Sequence, residues 1–476
     1  MLTFEDLKKI LTLNYREEDV KLIVKAFHFA SEAHKGQKRR TGEDYIYHAI
    51  ATAYNLAQMK MDIASIAAGL LHDVPEDTDF TFEDLKSNFG SEIHNLVKGV
   101  TKLGTLKYRG MERYAENLRK MFLAMSQDLR VIIIKLADRI HNMETLDGVR
   151  PEKRLRIAQE TLEIYAPLAN RLGMFRIKNQ LEDLAFPYVY PEEYKWTMSL
   201  IADRLKSEAK YIEEIKKLTQ KELTKHNIEI NSIRGRVKGI YSLYKKLLRK
   251  GKDVNKIYDL IALRIVLKEV ADCYSAMGIL HKKWTPLKGR VKDYIAQPKP
   301  NGYKSLHTSV FTDFSKIVEI QIRTVEMDEE AEYGVAAHSK YKEVGMLGKG
   351  KKQLKWLDHL MEIQKTITDN TEFIKHIKND LFLDQIFVFT PKGDVVELPE
   401  NATPLDFAYY IHSDIGSKCV GAKINNQMTS LETKLKSGDV VEIITDKNRK
   451  QPNADWLHMV ATNMAKNKIR SQLNKK

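Results

Sequence analysis

The stretch over residues 66–77, IAAGLLHDVPED, constrains this chain more than any other. A run with the composition of a buried helix passes directly into His72-Asp73 and then Glu76-Asp77. If the helix continues, His72 and Glu76 lie one turn apart on one face, and Asp73 and Asp77 do the same on the next. Four ionisable groups at the mouth of an apolar helix are costly unless something pairs them, and a divalent cation does so directly. A helix end fraying into a solvated acidic loop would use the same residues. The choice rests on what else the chain supplies.

Two further segments bear on it. Residues 39–48, RRTGEDYIYH, form a basic loop ending in His48, just before a helical run over 49–56. Residues 131–142, VIIIKLADRIHN, carry five apolar residues among the six before Ala137 and then reach Asp138, a carboxylate at the edge of a core. His48, His72, Asp73 and Asp138 make a mixed nitrogen and oxygen set. Such a set suits an octahedral ion such as manganese or iron better than the thiolate-rich tetrahedra of zinc.

A length of 476 residues predicts about three domains. The formal charge of +14 favours anionic partners, nucleotides or RNA. Cys273 and Cys419 are too few for a disulfide framework or a cysteine metal cage, which fits a reducing cytosol. The start MLTFEDLKK lacks the apolar core of a signal peptide, and no apolar run is long enough for a bilayer. A soluble, cytoplasmic protein without membrane partners is expected.

From residue 4 to about 191 the pattern is helical, with apolar spacings of three and four as in Leu118, Met121, Phe122 and Met125. Thr81 reads as a helix cap with an acid in the third position. His28, His34 and His94 fall on helical stretches outside any motif and read as packing or surface residues. Residues 192–226 look like one long charged connecting helix. Between Arg234 and Lys256 there are nine Lys or Arg and one acid, Asp253. On a helix there, Lys238, Ser242, Lys246 and Arg249 share one face, and Ile240, Leu243, Tyr244 and Leu247 the other. Arg234-Gly235-Arg236 reads as a turn placing arginines beside that helix's N-terminus, where free amides and cations would converge on an anion. A solvated basic face is the alternative.

Strand-like runs follow over 260–267, 309–312 and 316–324. In the last, Val318, Ile320 and Ile322 face one way, while Ile317, Glu319, Gln321 and Arg323 face the other, toward something wet or charged. Asp259 stands at the threshold of the first run, and if the strands are close, Asp259 and Glu319 pair to hold magnesium on a polyphosphate. Between them, RVKDYI (290–295) and PKPNGYKSLHT (298–308) combine lysines, an Asn-Gly turn and an aromatic ring, as a nucleotide pocket requires.

Residues 384–446 read as a small mixed domain: a hairpin QIFVFT-PKGD-VVELP, a helix over 405–411 started by Thr403-Pro404, and two more strands. Beyond it Trp456, Leu457, Val460 and Met464 begin an amphipathic helix with no evident partner. GMLGKGKK (345–352) falls one residue short of a phosphate-binding P-loop, follows a helix-like stretch, and reads as a basic loop.

The spacing of His48, His72-Asp73 and Asp138 resembles the HD-type metal phosphohydrolases. GRVKGIYSLYKK, YDLIALRI, DYIAQPKPNGYKSLHT, VEIQIRT and EYGVAAHSKYK resemble, in order, the synthetase motifs of the RelA/SpoT (Rel) family, which makes and destroys (p)ppGpp. The resemblance covers about 70–446 plus the His48 loop. It implies an all-α HD-type hydrolase domain (1–175) and an α+β nucleotidyltransferase-like synthetase domain (176–345, with connecting helices 176–226). A linker (346–383), a small β-grasp TGS domain (384–446) and the start of a helical region (447–476) complete the division. Long family members continue with further regulatory domains.

For the first domain the resemblance implies Mn2+ on His48, His72, Asp73 and Asp138. A bound water would attack the 3′-pyrophosphate of (p)ppGpp, with Glu76 and Asp77 orienting it or supplying a proton and Arg39, Thr41 and Asn142 lining the nucleotide pocket. For the second it implies transfer of pyrophosphate from ATP to the 3′-hydroxyl of GDP or GTP. Asp259 would bind Mg2+, and Glu319 would bind metal or take the proton, both roles remaining open. Arg236, Lys238, Ser242 and Lys246 would hold ATP; Tyr303 would stack on guanine beside Lys299, Asn301 and His307. Through the TGS domain it implies contact with the ribosome and the tRNA 3′ end at His412.

Val237 and Gly239 stand where the family has proline and histidine, and Lys304 where it has glutamine. Arg290-x-Lys292-Asp293 resembles bifunctional members. Because the two sites undo each other's work, they are not expected to be active in one conformation. The competing expectations are a hydrolase with a degenerate synthetase half, and a ribosome- or tRNA-binding factor without turnover.

Overall fold

The computed structural model describes residues 2–104, 111–254, 257, 261–299, 301–313, 316–337, 369, 385–449 and 451–474. Asp259, the GMLGKGKK loop and nearly all of the 346–383 linker lie outside these residues, as does the tail of the EYGVAAHSKYK motif. The chain divides into two compact units, residues 1–108 with 117–358, and residues 109–116 with 359–476.

The first unit opens with helices α1 (Phe4–Asn14), α2 (Glu17–Ala33), α3 (Ile46–Gln58), α4 (Ile63–Leu71), α5 (Val74–Asp77), α6 (Phe82–Gly104), the part of α7 (Met111–Gln127) from residue 117 on, and α8 (Arg130–Glu144). Then come α9 (Pro151–Glu160), α10 (Ala166–Arg171), α11 (Phe175–Val189) and the long α12 (Pro191–Lys225). The expected cap at Thr81 is present: its hydroxyl accepts from the Asp84 amide at 3.3 Å, and its own amide donates to the Asp84 carboxylate at 2.7 Å. Helix α6 kinks at Gly90, whose φ of 81° favours glycine.

Helix α4 is buried from Ala64 through Leu71, which explains its nearly uninterrupted apolar sequence. It packs closely on α3, because a Cβ at Gly69 would lie 2.5 Å from Leu56 Cδ1. Helix α3 also packs on α8. Three helices are thereby brought side by side, and each carries one candidate metal ligand.

The second half of this unit is a five-stranded sheet with order β1-β2-β5-β4-β3. Its strands are β1 (Ile230–Val237), β2 (Ile261–Leu267), β3 (Lys292–Asp293), β4 (Leu306–Phe311) and β5 (Ile317–Thr324), with helices α13 (Ile240–Arg249), α14 (Val270–Lys283) and α15 (Val325–Tyr333). Strands β2 and β5 are parallel and the other pairs antiparallel. Val318, Ile320 and Ile322 join Leu263, Ile265, Leu243, Leu247, Ile215 and Leu280 in one core, as the alternation predicts.

Two expectations need correction here, and a third is decided. Arg234-Gly235-Arg236 is strand, paired with Arg264, Leu263 and Ala262, because its residues continue the β1 ladder rather than turning. Helix α13 begins only at Ile240, so Lys238 precedes it instead of sharing its face with Ser242. The polar side of β5 meets charge, the second of the two surroundings expected for it: Gln321 and Arg323 are buried, and α15 packs across them and supplies Asp328 to Arg323.

Helix α11 joins the two halves of the first unit. Gln180 bonds Glu144 of α8 at 3.0 Å, Arg176 bonds Gln58 of α3 at 3.1 Å, and Arg176 also reaches Tyr333 of α15 at 3.2 Å. At the α10–α11 turn, Val335 N–H donates to Leu172 C=O at 3.0 Å, and a Cβ on Gly334 would lie 2.1 Å from that oxygen. Only glycine permits so close an approach.

The second unit contains hairpin β6 (Gln385–Phe389)–β7 (Val395–Pro399), helices α16 (Pro404–Ile411) and α17 (Ser413–Ser417), and the sheet β10-β8-β9 formed by β8 (Cys419–Ile424), β9 (Gln427–Thr429) and β10 (Val441–Thr445). Thr403 caps α16 together with Asp406, as expected. The C-terminal residues do have a partner, contrary to the sequence reading. They form α18 (Trp456–Met459) and α19 (Asn463–Leu473), which bury Trp456, Val460, Ala465 and Ile469 against Leu405, Tyr409 and Cys419. Buried Asp406 ties them down by accepting from the Ala461 amide at 3.0 Å and the Thr462 amide at 2.8 Å.

Candidate active sites

In the N-terminal half the helical run over 66–77 breaks where the chemistry begins. Pro75 has no N–H to offer the Leu71 carbonyl, so α4 stops at Leu71 and α5 restarts beyond His72-Asp73. His72 stays buried at the end of α4, while Glu76 and Asp77 sit at the mouth of the site with part of their surface open to solvent. His48 comes from α3 and Asp138 from α8. One ligand atom from each of His48, His72 and Asp138 lies within 4.8 Å of the others, a group that could hold a metal ion. His48 Nε2 is 3.1 Å from Asp138 Oδ1 and 3.4 Å from Asp73 Oδ2; His72 Nε2 is 3.2 Å from Asp73 Oδ2 and 3.8 Å from Asp138 Oδ1.

The donor set itself tests whether a cation fits. His72 Nδ1 lies 2.9 Å from the Gly69 carbonyl, which can only accept, so Nδ1 donates. In the neutral ring Nε2 then carries a lone pair, facing carboxylate oxygens, and it makes no hydrogen bond among the described residues. Lone pairs opposed in a buried pocket require a positive charge between them. Burial alone disfavours a charged ring, yet Asp73 and Asp138 outweigh it and push His72 up to about 10. Burial likewise opposes ionised carboxylates, but His72 beside Asp73 and Lys135 beside Asp138 hold both well below the usual range. A proton or a metal ion meets the demand, and the residues fit the metal.

Several groups here escaped the sequence reading. Tyr45 donates toward Asp73 at 2.8 Å and Asp77 at 2.9 Å. Lys135 pairs with Asp138 at 2.7 Å. His141 Nδ1 lies 2.8 Å from His48 Nδ1. Lys135 and His141 were legible in principle, since each stands three residues from Asp138 on one helix. Arg39 turns inward to His141 at 2.9 Å and Asn142 at 2.7 Å, and Asn142 in turn bonds Asp138. Thr41 is exposed on its loop and packs beside Gly148. Partial burial and then Asp73 push Glu76 up to about 7, where a carboxyl can both give and take a proton near neutrality.

The central half assembles a second cluster. The register sets Glu319 of β5 opposite Ala262 of β2. His307 Nδ1 lies 3.3 Å from Glu319 and its Nε2 2.7 Å from the Tyr303 hydroxyl. Asn301-Gly302 makes the expected turn: Gly302 has φ 80°, and the Lys299 amide donates to Tyr303 C=O at 3.1 Å. Tyr303 is only 8% exposed, with Phe175 of α11 at 5.4 Å and the Lys299 ammonium 5.0 Å from its ring centre. Burial, then Lys292, brings Lys299 down to about 8. Arg236 reaches Gln321 at 3.4 Å.

Acids of the chain engage much of this basic equipment. Asp328 of α15 pairs with Arg234, with Arg264 at 3.3 Å and with Arg323 at 3.0 Å, and Glu332 also takes Arg264. Buried Glu182 of α11 accepts from Ser242 at 3.2 Å and pairs with Lys245 at 3.0 Å and Lys178 at 2.7 Å. Its neighbour Asp183 accepts the Tyr241 amide at 3.0 Å, at the N-terminus of α13. In the second unit His412 is an exposed N-cap, its Nδ1 accepting from the Asp414 amide at 3.2 Å.

Comparison with known proteins follows the same division. Residues 26–175 match the HD domain, 235–346 the region found in RelA/SpoT proteins, and 386–445 the TGS domain. The chain is 48% identical to a GTP pyrophosphokinase of Myxococcus xanthus, covering 95% of this chain and 60% of that protein. It is 46% identical to a guanosine-3′,5′-bis(diphosphate) 3′-pyrophosphohydrolase of Aquifex aeolicus, covering 99% and 67%. It is 45% identical to the bifunctional (p)ppGpp synthase/hydrolase SpoT of Escherichia coli, covering 99% and 68%. The chain thus spans 60–68% of the length of these relatives.

Proposed function

Since the chain belongs to the RelA/SpoT family, we propose that it transfers pyrophosphate from ATP to the 3′-hydroxyl of GDP or GTP and also removes the 3′-pyrophosphate of (p)ppGpp. The observation that carries this reading is the presence, in one compact unit, of the buried His48–His72–Asp138 group and of a second cluster in which His307 joins Glu319 to Tyr303, with Lys299 over the Tyr303 ring and Arg236 at Gln321.

In the hydrolase half, His48, His72, Asp73 and Asp138 would hold Mn2+. When bound, the ion supplies an acidified water and neutralises the diphosphate. Lys135 keeps Asp138 ionised and fixed, and Tyr45 aims Asp73. Glu76, on the exposed side, moves the proton, with Asp77 beside it. Arg39, Thr41 and Asn142 line the approach of the nucleotide.

In the synthetase half, Asp259 and Glu319 are the Mg2+ and proton-handling carboxylates. Arg236, Lys238, Ser242 and Lys246 receive the phosphates of ATP; Tyr303 stacks on guanine beside Lys299, Asn301 and His307. The work is positioning and charge neutralisation, which suits phosphoryl-type transfer. His412 of the TGS domain meets the tRNA 3′ end on the ribosome. Among the described residues no helix is long and apolar enough to cross a membrane, and the protein acts in the cytoplasm.

The test is product analysis by chromatography, with labelled ATP plus GDP and Mg2+ in one reaction and ppGpp plus Mn2+ in another. Both products should form, and EDTA should abolish both. No ppGpp from the first reaction removes the synthetase reading; undegraded ppGpp in the second removes the hydrolase reading.

A further inference from the structure

His141 stands outside the four proposed ligands, yet it makes the shortest nitrogen–nitrogen contact in the N-terminal site. Its Nδ1 is 2.8 Å from His48 Nδ1 and 2.9 Å from Arg39 Nη1, while Arg39 Nη1 is 3.3 Å from His48 Nδ1. A guanidinium has only donors. Whatever it touches at 2.9 Å must accept, so His141 Nδ1 carries a lone pair and no proton. A 2.8 Å contact between two ring nitrogens needs one proton between them, and with His141 excluded the donor is His48 Nδ1. The opposite assignment would set an N–H of His141 against an N–H of Arg39 at 2.9 Å. The chosen one opposes like groups only at the longer 3.3 Å contact. Distance decides the tautomer.

The consequence reaches the other side of the ring. With its proton on Nδ1, neutral His48 has its free lone pair on Nε2, the atom 3.1 Å from Asp138 and 3.4 Å from Asp73. Arg39 is itself steadied by Asn142, whose amide bonds Asp138. The sequence of contacts therefore closes: Asp138 to Asn142, Asn142 to Arg39, Arg39 to His141, His141 to His48, and His48 back to Asp138. His72 reaches the same state by a shorter route, through the Gly69 carbonyl.

We propose that His141 is a positioning residue for the hydrolase metal site: oriented by Arg39, it accepts the Nδ1–H of His48 and so presents His48 Nε2 to the ion. The proposal rests on the metal-site reading above. Groups that orient metal-bound imidazoles in this way are each worth about 10- to 100-fold in metal affinity. Glutamine at position 141 can still accept through its side-chain oxygen, whereas leucine fills similar space and cannot.

Mn2+ alone is titrated calorimetrically into the full chain and into His141→Gln and His141→Leu, with thermal denaturation of each variant as a control on folding. Wild type is expected to bind tightly, the glutamine variant within about 3-fold of it, and the leucine variant about 10- to 100-fold more weakly at a similar Tm. The kcat for ppGpp hydrolysis at subsaturating Mn2+ should fall in the same order and recover for leucine as Mn2+ is raised. Equal affinity of wild type and His141→Leu overturns the proposal while leaving the metal site intact. Equal weakening of both variants also overturns it, since lost packing rather than a lost acceptor would then be at work. No binding by wild type overturns the metal reading and this inference together.

Discussion

In the N-terminal site two imidazoles and a carboxylate, those of His48, His72 and Asp138, converge within 4.8 Å of one another. Around the central site, by contrast, Arg234, Arg264, Arg323, Lys245 and Ser242 already have acids of their own chain. The first set stands on α3, α4 and α8, which pack on one another, α4 against α3 through Gly69. The second stands on strands β1, β4 and β5, a turn and the start of α13. There Glu182 occupies Ser242 and Lys245, Asp183 occupies the N-terminus of α13, and Phe175 packs on Tyr303. Helix α11 supplies all three of these contacts and also bonds α3 and α8. The difference is one of partners: the N-terminal ligands face one another closely enough for one ion, whereas Ser242 and the α13 N-terminus are already engaged by α11.

The largest expected effect breaks one side of the comparison alone. Asp73→Asn keeps the shape of a side chain beside both imidazoles but removes the charge they face. Hydrolysis of ppGpp should fall about 10³-fold or more, because water without the ion loses most of its acidity advantage. Synthesis by the same preparation should stay measurable. Parallel loss of both activities would mean that the two sites are not separate assemblies.

Next in size is the pH dependence of the α11–α13 contact. Burial pushes Asp183 up to about 6 from its ordinary 3.8, against the Tyr241 amide, which pulls it down. A raised folded pKa means that the folded chain takes up a proton the unfolded chain does not. The group's stabilising contribution is therefore full below 3.8 and lost as pH rises through about 6. Asp183→Asn cannot titrate. Wild type should lose about 1 kcal/mol relative to this variant between pH 5 and pH 7.5, read by urea denaturation. A pH-independent gap would place the carboxylate in water rather than against the helix end.

Glu182→Gln sharpens the comparison from the synthetase side. The amide keeps the shape but gives up the charge that holds Lys178 and Lys245. Synthesis at subsaturating ATP should rise about 5-fold, within the range of coupling between linked sites. An unchanged or lower rate would show that Ser242 is not withheld from ATP by this contact.

How much of this was legible in the sequence varied with the kind of contact. Helix period marked residues 4–191 as helical and 192–226 as one long helix, and the alternation in IVEIQIRT located β5, because burial on one side imposes a pattern along the chain. The ligand helices were legible because apolar runs ending in His or Asp are rare without a reason. Pairings between distant charges were not. Asp328 and Glu332 sit in VEMDEEAEY, which reads as a solvated acidic helix until β5 and β2 present Arg323 and Arg264 beneath it. Arg234 and Arg236 looked like a turn because glycine lies between them, and only the pairing with β2 makes them strand. The partner of Trp456 was hidden for the same reason. Leu405 and Tyr409 declare their second buried face only once α18 and α19 fold back.

Gly239 carries the smallest prediction. Its φ of −56° and ψ of 139° are open to any residue, so backbone conformation does not call for glycine there. Space does: a Cβ would stand 3.1 Å from Asp183 Oδ2 and 3.3 Å from Oδ1. In Gly239→Ala the carboxylate must retreat by a few tenths of an ångström, lengthening its bond to the Tyr241 amide without removing it. Partial loss of a helix cap costs under about 1 kcal/mol. The melting temperature should drop slightly, and the KM for ATP should fall less than about 3-fold as the α13 N-terminus opens. The two readings separate the meanings of the contact. A lower Tm with unchanged KM would make Asp183 a cap and nothing more, and the contrast between a ready site and a withheld one would then rest on Glu182 alone.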